Sequence, residues 1–289
     1  MIRFISLTIY SLLKFINFFF KKLLKRNLFG WIKFFIEQDS YINLKLKSGK
    51  ALTFFSPNFL IDLLIRDFYS KEPETIEWID NFKKNEKIVF WDIGSNIGLY
   101  SMYAAITHDN IKVISFEPST SNLRILSRNI FINKLQEKIS IFQIPLGENK
   151  NQFLKFNERK FNEGESHNSL DENIDFEGKK LNSNNSYTIF STNIDQIIED
   201  GLLQVPSYIK IDVDGIEHLL LKGGRKLLEN QKVLEIQIEI NENYVEQMNT
   251  VKKIMSDSMF KFKEKKRNDL NDYYKDQKFS KIYNYYFVR

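Results

Sequence analysis

The chain has 289 residues, a hydrophobic fraction of 43% and a formal net charge of +5. It contains no cysteine, which excludes disulfide bonds, thiolate metal sites and a cysteine nucleophile. Residues 1–50 contain ten Lys or Arg residues and two acidic residues, which gives this segment a net charge of +8. The other 239 residues therefore have a net charge of −3. Because this larger part of the chain is not basic, a nucleic-acid partner is not expected.

The first segment predicts an amphipathic helix. Its apolar run is interrupted by Lys14 and again by Lys21 and Lys22, whereas a spanning helix needs about 20 mostly apolar residues. No small-residue cleavage site follows the run, so the pattern differs from that of a secretory signal. At about 100° per residue, one face is polar and basic: Arg3, Ser6, Ser11, Lys14, Asn17, Lys21 and Lys25. The other face is apolar: Ile5, Ile9, Leu12, Phe15, Ile16, Phe19, Phe20 and Leu23.

Such a helix is typical of proteins that lie in a membrane interface, with lysines toward anionic head groups. We therefore expect a cytoplasmic protein with peripheral contact to the inner face of the membrane through residues 1–26. The alternative is that the helix packs on its own domain or on a partner subunit, because amphipathicity alone does not identify the apolar partner.

From residue 88 onward, short apolar strands alternate with helical patterns, which predicts an α/β fold with a mostly parallel sheet and helices on both faces. The predicted strands are 88–93, 112–117, 139–146, 208–213 and 233–240, followed by two closing strands at 260–265 and 281–288. The predicted helices are 99–107, 119–133, 217–229 and 242–255. We divide the chain into a basic N-terminal extension (1–50), a lead-in segment (51–87) and one α/β domain (88–289).

Residues 147–187 interrupt this alternation. They are rich in Asn, Glu, Lys and Ser, with one short strand-like piece at 152–156. Long loops inside compact domains are usually functional or disordered. Because this one follows the third strand, it lies at the sheet edge where ligands bind in open α/β folds. We expect a mobile lid over the substrate.

The clearest motif follows the first strand of this domain. Gly94 and Gly98 in Asp92-Ile-Gly-Ser-Asn-Ile-Gly allow a tight turn into a helix and let a ligand approach the backbone. Glu117 ends the next strand, where an acid can accept both hydroxyls of a ribose. The predicted cofactor-binding residues are Asp92, Gly94, Ser95, Asn96, Gly98, Glu117 and Pro118.

Two cofactors compete for this pattern. A nicotinamide dinucleotide favours a glycine at the position of Asn96, where the pyrophosphate passes. The acid Asp92 at the head of the loop would repel a pyrophosphate but suits the ammonium or sulfonium end of S-adenosylmethionine. The charge balance therefore favours methyl transfer with S-adenosyl-L-methionine.

Three stretches together resemble the FkbM-type methyltransferase family: residues 92–101, the Phe-Glu-Pro of 116–118, and Tyr-Ile-Lys-Ile-Asp-Val-Asp-Gly-Ile-Glu at 208–217. Leu-Lys-Gly-Gly at 221–224 and the acid Glu239 look similar as well. Asp214 stands where the family more often has Glu, which keeps a carboxylate. The resemblance covers roughly residues 88–241.

The resemblance implies a class I methyltransferase fold of about seven strands that ends in an antiparallel hairpin. It also implies O-methylation of a hydroxyl on a glycan or other secondary metabolite, which is a small-molecule or glycan acceptor. Neither the Asn-Pro-Pro-aromatic motif nor the Pro-Cys nucleophile of DNA base methyltransferases occurs. The alternative from another class is a catalytically silent Rossmann-like module that docks with glycan-assembly enzymes.

An alcohol becomes a good nucleophile when a base takes its proton, so a carboxylate near the transferred methyl group is expected. Asp212, at the C-terminal end of its strand, is the main candidate, with His218 and His167 as further ones. Asp212 could instead hydrogen-bond the cofactor or cap the helix after it. Together with Glu239 and Asn241 it could also hold a hard divalent ion, although we assign no metal.

Overall fold

The computed structural model describes residues 1–83, 86–166, 168–171, 177–180, 185–268, 276 and 279–289. Before the predicted domain lie α1 (Ile2–Leu24), α2 (Leu28–Asp39), β1 (Tyr41–Lys45), β2 (Ala51–Phe55), α3 (Phe59–Arg66), α4 (Phe68–Lys71) and α5 (Pro73–Asp80). The first half of the domain contains β3 (Ile88–Ile93), α6 (Leu99–Thr107), β4 (Ile111–Phe116), α7 (Thr120–Ile132), β5 (Ile139–Phe142), β6 (Gln152–Glu158), β7 (Ser169–Leu170) and β8 (Asn185–Ser191). The second half contains α8 (Ile194–Glu199), β9 (Tyr208–Ile211), α9 (Glu217–Lys222), α10 (Arg225–Glu229), β10 (Glu235–Asn241), α11 (Val245–Asp257), β11 (Lys261–Lys266) and β12 (Ile282–Val288).

The main sheet has seven strands in the order β11-β12-β10-β9-β3-β4-β5. The strands from β10 to β5 run parallel, and β12 pairs antiparallel with both β10 and β11. This order, with its antiparallel closing pair, is that of the class I methyltransferase fold, so the predicted fold class is confirmed.

The central strand β3 explains why helices cover both faces of the sheet. All six of its residues are buried, as expected for a parallel strand covered on each side. Phe90 packs into one apolar cluster and its neighbour Trp91 into the other, because successive side chains point to opposite faces. The predicted bounds of β3 and α6 agree with the structure.

One predicted helix is wrong as a single element. The stretch 217–229 forms two helices, α9 and α10, separated by Gly223 and Gly224. A side chain on Gly223 would overlap the carbonyl oxygen of Gly147 and come within 2.8 Å of Asn193. Gly223 therefore allows a close approach of backbones, which the apolar periodicity does not reveal.

The prediction of a long loop at 147–187 is also corrected for the part of it that the structure describes. β6 pairs antiparallel with β8 over seven residue pairs, and β7 pairs with the other edge of β6. The mobility predicted for this segment, which we call the lid, stays a prediction.

The segment predicted as a lead-in belongs to the domain core. The boundary drawn after residue 50 falls in the hairpin between β1 and β2. Leu52, Phe54 and Phe55 are completely buried, in the same apolar cluster as Phe90. The core therefore begins at the β1–β2 hairpin, well before residue 88.

α1 lies outside this core, and Asn17 is its one buried residue. The Asn17 Oδ1 atom accepts a hydrogen bond of 2.7 Å from the backbone N–H of Leu28, and the rings of Tyr10 and Phe29 stack 5.9 Å apart, so α1 contacts α2. Among the described residues, α1 is the helix that is long and apolar enough to cross a membrane by length and composition. Because its apolar face is exposed on the domain, a membrane interface and a partner subunit stay the two predicted partners of that face.

Candidate functional site

A cavity of about 380 Å³ opens at the C-terminal ends of β3, β4, β9 and β10. Its volume lies in the range of small-molecule sites, roughly 300–1,000 Å³. The turn after β3, the end of β4, the lid, the end of β9 and the helices α3 and α4 all contribute walls. Of the predicted site residues, it is lined by Gly94, Ser95, Asn96, Glu117, Pro118 and Asp212.

The turn after β3 presents backbone to this cavity. Gly94 has φ +86°, and any side chain there would overlap the carbonyl oxygen of Asp212. The N–H groups of Gly94 and Ser95 both donate to the Phe116 carbonyl oxygen at 3.0 Å, which fixes the turn against β4. Asn96 has φ +50°, and its Oδ1 atom is buried without a hydrogen-bond partner. Buried polar atoms nearly always have a partner, so this oxygen is a candidate contact for a molecule bound in the cavity.

Glu117 connects this turn to the helix after β4. Its Oε2 atom accepts a hydrogen bond from the Asn96 N–H, and Oε1 accepts one from the Ser119 N–H, both at 2.8 Å. Burial raises the pKa of Glu117 to about 7, although these two bonds act in the opposite direction. The Asn122 side chain is a third donor to this carboxylate, which keeps acceptor capacity for a hydroxyl.

Two predicted cofactor residues lie behind the cavity rather than in its wall. Asp92 is 1% exposed, and its Oδ2 atom accepts a hydrogen bond of 2.6 Å from the Ser101 hydroxyl on α6. Gly98 precedes α6 with φ +86°, where a side chain would meet Leu126 at 2.5 Å. Both residues shape the turn and the start of α6, and neither lines the cavity. The Oδ1 atom of Asp92 is buried without a hydrogen-bond partner, and the direct cofactor contact predicted for these residues stays a prediction.

The polar end of the cavity holds a group of charges that we call the charged cluster: Lys71, Glu72, Lys210, Asp212 and Glu239. Lys210 is 1% exposed, and its Nζ atom donates to Asp212 Oδ2 at 2.7 Å. Glu72 is equally buried, with Lys71 Nζ 3.4 Å from its Oε1 atom. Oxygen atoms of Glu72, Asp212 and Glu239 all lie within 4.8 Å of one another.

The pKa values follow from this crowding. Burial alone would lower the pKa of Lys210, but the carboxylates of Asp212, Glu72 and Asp92 outweigh it and raise that pKa. Burial and repulsion by Asp212 and Glu72 raise the pKa of Glu239 well above its usual value. For Glu72 the nearby lysines outweigh burial, so its pKa is lowered.

The divalent ion considered from the sequence is not assigned. Asn241, one of its three candidate ligands, does not line the cavity. The ammonium group of Lys210 already lies against Asp212, at 2.7 Å from its Oδ2 atom.

Of the two histidine candidates, the structure describes His218, which does not line the cavity. His218, on α9, is 6% exposed and packs its ring edge-on against Tyr244, with centroids 5.8 Å apart. Burial lowers its pKa. The prediction that His218 is a base is therefore not supported by the geometry. His167 lies outside the described residues.

Sequence reasoning missed one whole wall of the cavity. Leu60 and Leu64 of α3 and Phe68 of α4 form an apolar side that leads to Lys71 and Glu72. The pattern Phe-Leu-Ile-Asp-Leu-Leu-Ile-Arg, preceded by Asn58 as a helix N-cap, could have predicted α3. No signal in it indicated that α3 packs beside the cofactor turn.

The residues present fit S-adenosylmethionine. The turn at Gly94 lets a ligand come close to the backbone. Glu117 offers acceptors for a ribose diol, and Asn96 has a buried oxygen without a hydrogen-bond partner. Beyond them, the carboxyl groups of Glu72, Asp92, Asp212 and Glu239 face two lysines. This excess of acids suits a cationic sulfonium group.

Comparison with known proteins gives a family and individual relatives. A family described as the methyltransferase FkbM domain matches residues 92–268. The chain is 28% identical over 161 residues to the hexuronic acid methyltransferase AglP of Haloferax volcanii, covering 53% of this chain and 56% of that protein.

Solved structures are similar at lower identity. A methyltransferase FkbM from Methylobacillus flagellatus aligns with a TM-score of 0.46 at 18% identity, over 70% of this chain and 44% of its own. A precorrin-6y C5,15-methyltransferase from Geobacter metallireducens aligns with a TM-score of 0.43 at 9% identity, over 75% of this chain and 86% of its own. The chain thus spans about half the length of AglP and of the FkbM structure.

Proposed function

Because the chain belongs to the FkbM methyltransferase family, we propose that it is an S-adenosylmethionine-dependent O-methyltransferase that acts on a hydroxyl of a glycan or other secondary metabolite. One observation carries the proposal: a single cavity joins the turn at Gly94–Asn96 and Glu117 to the charged cluster. The similarity to a hexuronic acid methyltransferase supports a sugar as the acceptor. A catalytically silent module would not need this arrangement, so we do not favour that alternative.

The proposed cofactor residues act through backbone and carboxylate. The turn at Gly94 and Asn96 holds the body of the cofactor, and Glu117 accepts hydrogen bonds from its ribose. When bound, S-adenosylmethionine supplies an electrophilic methyl group on a positively charged sulfur. The charged cluster stabilises that positive charge because its acids outnumber its lysines.

The acceptor hydroxyl enters from the side of α3 and α4. Leu60, Leu64 and Phe68 offer an apolar surface for a sugar face, and the charged cluster lies at its end. A carboxylate there removes the hydroxyl proton as the oxygen bonds to the methyl carbon. Asp212, the base predicted from the sequence, lies at this end with its Oδ2 atom bound by Lys210.

We also propose that the protein is cytoplasmic and contacts the inner face of the membrane through residues 1–26. Phe15 and Leu12 on the apolar face of α1 are 62% and 60% exposed. The same helix ends with Lys21 and Lys22 in its last turn. Exposed apolar area beside lysines favours an anionic membrane surface as the partner.

The first experiment measures cofactor affinity by calorimetry. Glu117→Ala should weaken S-adenosylmethionine by about 2 kcal/mol, roughly thirtyfold, because hydrogen bonds to a charged group contribute about 1.5–3 kcal/mol. Glu137→Ala, at an exposed acid before β5 that does not line the cavity, should leave the affinity unchanged. Equal affinities in both variants would remove Glu117 from the site, and tight binding of a nicotinamide cofactor instead would overturn the assignment.

The second experiment identifies the acceptor. The protein is incubated with S-adenosylmethionine that carries a labelled methyl group and with a panel of oligosaccharides that contain hexuronic acids. We expect label in a base-stable ether linkage on the sugar. Label in an ester or on nitrogen would contradict O-methylation of a hydroxyl.

A further inference from the structure

Glu239 occupies a distinct place in the charged cluster. On β10, Gln237 pairs with Lys210 of β9, and Glu239 follows two residues later on the same face of the sheet. This places its carboxyl group beside Asp212 at the C-terminal ends of two neighbouring strands. Glu239 is half-buried and lines the cavity.

The two acids differ in their partners. The Oδ2 atom of Asp212 forms an ion pair with Lys210 Nζ at 2.7 Å. Because the Lys210 side chain is buried, water does not compete for this contact. Glu239 has no hydrogen-bond or ion-pair partner among the residues that the structure describes, although its oxygen lies within 4.8 Å of oxygens of Asp212 and Glu72. An ion-paired carboxylate is a weaker base than one that is free and faces other acids.

We propose that Glu239, rather than Asp212, is the catalytic residue that accepts the proton from the acceptor hydroxyl. The inference rests on the proposed methyl transfer. The hydroxyl oxygen forms a bond to the methyl carbon, the electron pair of the C–S bond stays on sulfur, and the O–H proton passes to a Glu239 carboxylate oxygen. The products are the methyl ether, the neutral thioether and a protonated Glu239.

The charges around Glu239 explain how binding of the methyl donor converts it into a base. Asp212, Asp214 and Glu72 face it with negative charge, Lys71 faces it with positive charge, and burial adds to the effect of the acids. The pKa of Glu239 is therefore raised, and the side chain holds a proton more readily than an ordinary glutamate. A sulfonium cation in the same cavity lowers that pKa again, because opposite charges stabilise the ionised form. Binding of the methyl donor thus releases a proton and prepares the base.

This coupling is measurable without any acceptor. Binding of S-adenosylmethionine and of S-adenosylhomocysteine is titrated calorimetrically at pH 7 in buffers of different ionisation enthalpy, which gives the number of protons released by each. Both ligands carry the ribose that contacts Glu117, whereas S-adenosylmethionine alone carries the sulfonium charge. The difference between the two proton numbers therefore reports the group that senses the sulfonium.

The wild-type protein should release more protons with S-adenosylmethionine than with S-adenosylhomocysteine. Glu239→Gln should abolish that difference and leave affinity for S-adenosylhomocysteine within about twofold of wild type. Glu235→Gln is the matched control on the same strand, where the side chain bonds Trp78 Nε1 at 3.0 Å outside the cavity, and it should keep the difference. With the acceptor found by labelling, Glu239→Gln should also slow a single turnover by about 10²-fold or more.

The role of Glu239 would be overturned if the wild type released equal numbers of protons with the two ligands. It would also be overturned if Glu239→Gln kept the wild-type difference in proton release. An unchanged single-turnover rate in Glu239→Gln would do the same. Failure of the wild type to bind either ligand would instead count against the proposed function. Thermal unfolding of both variants confirms that they fold.

Discussion

The carbonyl oxygen of Asp212 occupies the space that a side chain on Gly94 would need. Gly94 also has φ +86°, a conformation that L side chains rarely adopt. The neighbouring strands β3 and β9 can approach at their C-terminal ends because one of them presents bare backbone. This contact places the candidate cofactor turn directly against the charged cluster.

We predict that Gly94→Ala destabilises the fold by more than the conformational cost alone, which is about 1–2 kcal/mol for a side chain in the left-handed region. The clash with the Asp212 carbonyl adds to that cost. Urea unfolding should show a clearly larger loss for Gly94→Ala than for Gly49→Ala, because Gly49 has φ +83° but open space around it. Equal losses in the two variants would show that the contact with Asp212 is not tight.

Cofactor affinity should depend on pH through Glu117, whose pKa burial raises to about 7. The ionised carboxylate accepts the ribose hydroxyls, so below pH 7 the protein must first lose a proton. Affinity for S-adenosylhomocysteine should therefore rise with pH by up to tenfold per unit below about 7 and level off above it.

Calorimetry with S-adenosylhomocysteine is the suitable measurement, since this ligand lacks the sulfonium charge. In Glu117→Gln the pH dependence near 7 should disappear, while Glu137→Gln should retain it. A slope that persists in Glu117→Gln would mean that another group titrates on binding.

Asn122 is one of the residues that hold the lid against the domain, beside Asn58 and Asn96. Asn122 on α7 accepts a hydrogen bond of 2.8 Å from the Gly164 N–H and donates one of 3.1 Å to the Glu165 carbonyl oxygen. Asn122→Ala should accelerate hydrogen exchange of the Gly164 amide, whereas Asn230→Ala, whose side chain makes a local bond, should not. Without ligand we also expect residues 147–187 to exchange faster than β3. Protection equal to that of β3 would rule out a mobile lid.

Membrane contact is testable with the full chain. Near an anionic surface each lysine contributes about 1 kcal/mol, so the double variant Lys21→Glu, Lys22→Glu should bind vesicles of phosphatidylcholine and phosphatidylserine less tightly by roughly 2 kcal/mol or more. The double variant Lys261→Glu, Lys263→Glu has the same net charge change on β11 and should bind like wild type. Flotation of the vesicles measures the bound fraction.

High salt should weaken this binding only in part, because screening acts on the lysines and not on the apolar face. Deletion of residues 1–26 should abolish vesicle binding and leave cofactor affinity intact. Loss of cofactor affinity on deletion would indicate that α1 supports the domain instead.

Regular elements were predictable where burial and periodicity agree. The bounds of β3 and α6 follow from the sequence because a fully buried apolar strand and a glycine-bounded helix leave little ambiguity. The pairing of β6 with β8 was not predictable, since these strands lie far apart in sequence and are rich in polar residues. Only tertiary contacts decide such pairing.

Part of the candidate site could likewise be predicted from the sequence, and part could not. Motif residues such as Gly94 and Glu117 could be found because their chemistry is local to a strand end. Lys210 belongs to the motif at 208–217, but its burial and its pairing with Asp212 depend on the packing of β3, β9 and β10. Glu72 lies far from the motifs in sequence, and no spacing rule connects it to Glu239.

The two walls of the cavity come from separate stretches of chain. Residues 92–268 match the methyltransferase family and supply the cofactor turn, whereas the wall that leads from Leu60 to Glu72 precedes that match. Substitutions in α3 and α4 can therefore reshape what the cavity admits without touching the strands that position the cofactor turn. On the proposed function, the side of the cavity that receives the acceptor can therefore change while the side that holds the methyl donor stays the same.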